Sequence, residues 1–373
     1  MSNINSQSIL EKLAEERVVI GAILITIILL ITASPVSEGD GPGDSAFSVQ
    51  MEFSQMIQLD LGSSVSVGAL RLLMLVFLTL AVSGIALNIQ GLAGRNLRYF
   101  PAYNPPEVRW GLWPVLKIVI YFICIILLSQ RLESVCFSIF GIFRTRISSQ
   151  LIIGNAFWQF SLMIFLVICF LTKYRYSKQL SPANSAAVLS PGSIIIDMPP
   201  EKRITPMELL GISQKWWGTS FRQALRGYIL FFPVLIVLVL ISQVGTKLFG
   251  LPFQSHPLVQ PLLETGNNSL IWPLFAIGIL LGPLAEELFF RGLLFPALKS
   301  KVSVFWAVSI SAALFATLHL NWAGWLPIFG LGVLLAYSYE KTGSLLVPIF
   351  IHVIHNSLFL TFTVLMFWIK RSA

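Results

Sequence analysis

The sequence predicts an all-α fold, a polytopic transmembrane helical bundle of about nine spans with an intramembrane polar cavity. Three observations predict it. Of the 373 residues, 55% are hydrophobic and only 11% are charged, against roughly 25% charged in an average soluble domain. Mean hydropathy is +0.79. Apolar runs near the length of about 20 residues that crosses the hydrocarbon recur along the whole chain.

In order, the runs cover Val18–Ser34, Leu72–Leu92, Trp113–Leu128, Leu151–Thr172, Tyr228–Phe249, Leu270–Leu298, Val302–Leu320, Leu326–Tyr339 and Leu345–Ile369. The formal charge of +8 comes largely from short loops beside these runs. Topology and anionic lipid account for it there, so membrane lipid is an expected partner and nucleic acid is not. Cys124, Cys136 and Cys169 have no metal or redox spacing and read as buried free thiols.

Lys and Arg placement sets the sidedness. The Pro35–Ser66 loop carries acids but no Lys or Arg, and is expected outside. The Lys173–Arg226 loop is basic and expected in the cytoplasm with the N-terminus, although Arg131, Arg144 and Arg146 depart from this count. The long loop divides the chain into an N-terminal transmembrane region (1–172), a cytoplasmic linker (173–226) and a C-terminal transmembrane domain (227–373). Ser181–Pro200 has linker composition. Ile204–Trp217 has the pattern of an interfacial helix, with Leu209, Leu210, Trp216 and Trp217 in the headgroup layer.

The chemistry lies beyond the linker. Glu286, Glu287 and Arg291 fall inside the Leu270–Leu298 run, where each charge costs roughly 2.5–3.5 kcal/mol unless paired or hydrated. Glu287 and Arg291 are four residues apart, share a helix face and form a natural pair. Glu286 points about 100° away and is left for another task. Phe315 and His319 are again four apart, so the ring lies beneath the imidazole. His352 and Asn356 share a face of the last run, with His355 beside it.

A carboxylate and a histidine at one depth can orient and deprotonate water. A second histidine and an amide can stabilise an oxyanion. Glu286 is thus the candidate base, with His319 its partner at the water. His352 and Asn356 are the candidate oxyanion donors, and Glu287, Arg291 and Phe315 support them. No cofactor is expected. Zinc held by His319, His352 and a carboxylate is the alternative, although the chain has no HExxH. Other readings of the same residues are interhelical clasps and a proton relay in a transporter.

The EExxxR of Glu286–Arg291, the FxxxH of Phe315–His319 and the HxxxN of His352–Asn356 occur in that order. Over about Leu270–Leu360 they resemble the CPBP family of CAAX proteases and bacteriocin-processing enzymes, also called Abi or Rce1-like. The resemblance implies an intramembrane glutamic endopeptidase, with Glu286 and His319 activating water and His352 and Asn356 forming the oxyanion hole. Its implied substrate is a hydrophobic or lipidated (CAAX-like, prenylated) peptide or a membrane protein. The compact loops and the lack of organelle signals point to a bacterial plasma membrane. A non-catalytic scaffold or bacteriocin immunity protein that binds a peptide, and a zinc-dependent version of the protease, are the alternatives.

Overall fold

The computed structural model describes residues 65–93, 100, 111–140, 158–169, 210, 212, 217–250, 271–319 and 321–372. The helices are α1 (Val65–Ala93), α2 (Leu112–Phe140), α3 (Trp158–Cys169) and α4 (Trp217–Phe249). A helical run, α5, follows from Ile271 to Lys299, then α6 (Val304–Leu318), α7 (Trp325–Thr342) and α8 (Leu346–Ser372). No strand occurs among the described residues.

Each apolar run from Leu72 onward coincides with one of these helices over its described part. The run at Val18–Ser34 lies outside the described residues, as does nearly all of the Pro35–Ser66 loop. Gly68–Leu92, Trp217–Phe249 and Leu346–Met366 are long and apolar enough to cross a membrane. On α1, Leu72, Leu75, Leu78, Val82 and Ile89 are exposed, an outward face suited to hydrocarbon rather than water.

Helix α4 packs on α1, α7 and α8. Pro233 lies inside it and lacks the N–H that would bond the Ile229 carbonyl one turn back. Gly84 of α1 lets that turn approach closely, because a Cβ there would collide with the Ile229 carbonyl oxygen and the Pro233 ring. The Asn88 amide then donates to the Leu230 carbonyl oxygen at 2.8 Å. A polar residue in an apolar helix thereby finds its partner on the neighbouring helix.

Helix α5 is interrupted. It is α-helical over Ile271–Phe275, Gly282–Glu287 and Phe295–Lys299, with π-helical turns at Ala276–Leu281 and Leu288–Leu294 between them. Such turns loosen the backbone ladder and cluster at functional sites. Helices α6 and α7 pack closely where Gly332 meets Ala312; a Cβ at 332 would lie 3.0 Å from the Ala312 Cα. Gly343 caps α7 at φ 61°, a left-handed position that favours glycine. The Lys299 ammonium ties the end of α5 to α7 by donating to both Glu340 carboxylate oxygens, at 2.8 and 2.7 Å.

Three expectations need adjustment. Segment 217–226, assigned to the linker, is the first part of α4, with Ser220 and Ala224 already buried against the bundle. Leu210 is not at a headgroup surface: it is buried in the main core, and its carbonyl accepts the Leu345 N–H at 3.0 Å. The linker therefore returns to the bundle at that point. Cys124 and Cys169 are free thiols, but Cys124 is only half-buried and Cys169 is exposed.

Candidate active site

The centre of the site is an ion pair in the bundle interior. Arg291 Nη1 donates to Glu287 Oε1 at 2.7 Å, and both side chains are 0% exposed. Arg291 Nη2 donates to the Gly332 carbonyl oxygen at 3.1 Å. The guanidinium also lies over the Phe315 ring, 4.6 Å from its centroid, and near Phe290 at 5.6 Å. A buried charge is tolerated only when paired and hydrogen-bonded, and α5, α6 and α7 together supply those partners.

Glu287 has a second role. His352 Nδ1 donates to its Oε1 at 2.9 Å, since a carboxylate oxygen accepts. His319 is oriented in a similar way: its Nδ1 donates to the Phe315 carbonyl oxygen at 2.7 Å. With both Nδ1 atoms engaged, the Nε2 atoms face Glu286. His319 Nε2 lies 4.0 Å, and His352 Nε2 3.9 Å, from Glu286 Oε2. That oxygen is buried and has no hydrogen-bonding protein partner. Phe315 packs against both imidazoles, tilted to the His319 ring at 4.6 Å and edge-on to the His352 ring at 5.6 Å.

Helix α8 adds two more polar groups. Asn356 Nδ2 donates to the Gly278 carbonyl oxygen at 2.7 Å, a carbonyl in the first π-helical turn of α5. His355 Nδ1 lies 3.3 Å from the Tyr228 hydroxyl of α4, and its ring packs on Phe359 at 4.5 Å. Glu286, His319, His352, His355 and Asn356 all line one cavity of about 700 Å³. Its walls include Phe122 of α2, and Gln159, Phe160 and Met163 of α3.

The structure thus brings Glu286, His319 and His352 to one point, puts Asn356 in the same cavity, and sets Glu287, Arg291 and Phe315 behind them. Sequence reasoning missed Tyr228, the Gly278 and Gly332 carbonyls, and the α3 wall. Tyr228 carried a signal, because a phenol in an apolar span must find a partner for its hydroxyl. The others carried none.

The donor set bears on a metal. A tetrahedral zinc bound at about 2.0–2.2 Å keeps its ligand atoms roughly 3.4 Å apart. The observed 3.9 and 4.0 Å separations are wider. They fall short of the roughly 4.5 Å set by two tetrahedrally disposed hydrogen bonds of about 2.75 Å on one oxygen, and so lie between the two geometries. Among the described residues, no group of three or more His, Cys, Asp or Glu side chains is arranged to hold a metal ion.

A family model described as type II CAAX prenyl endopeptidase Rce1-like matches residues 268–358, the segment holding all three motifs. The chain is 30% identical over 165 residues to YdiL of Bacillus subtilis, a candidate membrane peptidase, a match covering 44% of this chain and 64% of the relative. It is 34% identical over 149 residues to the membrane-embedded CAAX protease MroQ of Staphylococcus aureus, covering 38% of this chain and 58% of the relative. The chain therefore spans less than two thirds of the length of either relative. No solved structure matches it. The chain is a helical integral membrane protein, and its residues 268–358 match the Rce1-like family model.

Proposed function

We propose that the chain is an intramembrane endopeptidase that hydrolyses a peptide bond with water activated by Glu286 and His319. One observation supports this reading above all: a buried carboxylate oxygen without a protein partner, faced by two imidazole nitrogens at 3.9 and 4.0 Å. Both distances leave room for one water between the groups. Glu286 takes a proton from that water, and the hydroxide attacks the carbonyl carbon. The proton then passes to the leaving amine as the C–N bond breaks.

His319 presents an Nε2 lone pair, because its Nδ1 carries the proton given to Phe315. It accepts the second water hydrogen and fixes the direction of attack. His352 donates to the oxyanion through Nε2 when both ring nitrogens are protonated, with the Glu287 carboxylate as counter-ion and Arg291 balancing that carboxylate. Asn356 has a second amide N–H beyond the one given to Gly278, and it is the other donor. No step uses a metal.

The substrate class follows from the walls. Phe122, Phe160, Met163, Phe289, Phe359 and Leu360 favour an apolar peptide or a membrane-protein segment, which reaches the site from lipid. A prenylated CAAX-like tail is one member of that class. The bacterial organisms of the relatives support a bacterial plasma membrane; Lys and Arg placement in the sequence supports a cytoplasmic N-terminus, with the Lys173–Arg226 loop on the same side.

The test is cleavage of quenched-fluorescence peptides with apolar cores, with and without a prenylated C-terminal cysteine, by purified full chain in detergent micelles. Turnover is expected, and Glu286→Gln abolishes it. Peptide binding without turnover by the wild type would establish a non-catalytic binder instead.

A further inference from the structure

Three histidines line the cavity, and each has its Nδ1 engaged by a different kind of partner. His319 faces the Phe315 carbonyl and His352 a Glu287 carboxylate oxygen. Both partners only accept, so both Nδ1 atoms carry hydrogen. In neutral rings the two Nε2 atoms are then lone pairs. His355 differs because its partner is the Tyr228 hydroxyl, 3.3 Å away.

A hydroxyl can donate or accept, so the choice rests on what happens to the phenol proton. Tyr228 is 0% exposed. If His355 Nδ1 donated, the phenol O–H would be buried without an acceptor, at a cost of about 1–3 kcal/mol. If the phenol donates to Nδ1, the proton left without a protein partner is the one on Nε2 of His355, a residue that lines the cavity rather than lying sealed in the core. The second arrangement wins on this count. Phe359 packs on the ring at 4.5 Å and the Tyr228 ring meets it edge-on at 6.1 Å, which fixes the direction of Nε2. His355 thus brings a neutral N–H to a cavity where the other two imidazoles, when neutral, bring lone pairs.

We infer that Tyr228 and His355 form a preset hydrogen-bond donor for a backbone carbonyl oxygen of the bound peptide, with His355 the contacting group and Tyr228 its positioning residue. The inference rests on the peptidase reading, since it needs a peptide in the cavity. Its chemistry suits that ligand. A peptide in an apolar cavity has carbonyls that have lost water, and a neutral donor satisfies one without adding charge. Tyr228 also lies outside the segment 268–358 that carries the family match, so this donor depends on a helix beyond that segment.

The test has two arms on the full chain in micelles. In the first, ¹⁵N-histidine NMR reads the tautomers of the chain's four histidines, His256, His319, His352 and His355, with His355→Leu assigning the His355 signals. Hydrogen on Nε2 of His355 is expected, and Tyr228→Phe shifts that signal while leaving the His319 signal in place. Hydrogen on Nδ1 of neutral His355 overturns the inference, whether or not the protein cleaves peptides.

In the second arm, a quenched-fluorescence peptide with an apolar core is the probe. His355→Leu raises KM about fivefold with kcat nearly unchanged, the signature of lost binding rather than lost chemistry. His355→Gln, whose amide nitrogen falls near Nε2, restores KM. A fall in kcat at unchanged KM, no change in either, or failure of Gln to restore KM overturns the inference. Absence of turnover by the wild type counts against the peptidase reading and leaves the tautomer arm to decide the donor.

Discussion

The Phe315 carbonyl accepts the Nδ1–H of His319 at 2.7 Å, one turn back on the same helix. That carbonyl is free because α6 ends at Leu318, and the last carbonyls of a helix lack an intrahelical donor. A helix terminus thus selects the tautomer of the histidine that follows it. The outcome is an imidazole with its lone pair turned toward Glu286, the form needed to hold a water.

Glu286→Gln is expected to lower turnover by about 10²–10⁴-fold, the range assigned to general acid–base groups. Because Glu286 Oε2 has no hydrogen-bonding protein partner, the change breaks no internal bond, and stability stays within about 0.5 kcal/mol of the wild type. Peptide cleavage and thermal unfolding, measured on the same preparation, check this. A variant that loses activity by unfolding would not support the assignment.

Removing one partner of the Glu287–Arg291 pair leaves the other charged and buried. Arg291→Leu is expected to destabilise the protein by about 3–5 kcal/mol, read from unfolding in mixed micelles. The double variant Glu287→Leu/Arg291→Leu should be less destabilised than Arg291→Leu alone, yet still inactive because His352 loses its acceptor. Additive destabilisation in the double variant would contradict the pairing.

Gly332 joins two functions at one position. Its carbonyl accepts from Arg291, and its missing side chain lets α7 lie against Ala312. Gly332→Val is expected to cost about 1–3 kcal/mol through overpacking and to lower turnover by displacing Arg291. Ala312→Gly in the same chain should recover part of both losses, because it removes the methyl group the new side chain meets.

Exhaustive chelation is expected to leave peptide cleavage unchanged, since among the described residues no group of three or more His, Cys, Asp or Glu side chains is arranged to hold a metal ion. Loss of activity on chelation with return on adding zinc, and a matching metal content by mass spectrometry, would replace the water reading with the metal one.

Much of the site was legible in the sequence because it rests on spacing within helices. Residues four apart share a face, which paired Glu287 with Arg291 and set Phe315 under His319. What was not legible depends on neighbours in space. The Gly332 and Gly278 carbonyls are backbone groups that every residue carries; their use follows from a close helix crossing and a π-helical turn. The contributions of α3 and Tyr228 arise from packing across more than a hundred residues of chain. Leu210 looked interfacial because its amphipathic pattern fits a membrane surface as well as a groove in the bundle.

The order in which the polar groups of α5 meet their partners has a consequence for biogenesis. Arg291 and Glu287 lie on the same helix, so this segment leaves the ribosome already carrying its own counter-charge. Gly332 and His352 arrive only later in synthesis. Glu286, with no hydrogen-bonding partner in α5, is the group that must wait until α6 brings His319 and α8 brings His352.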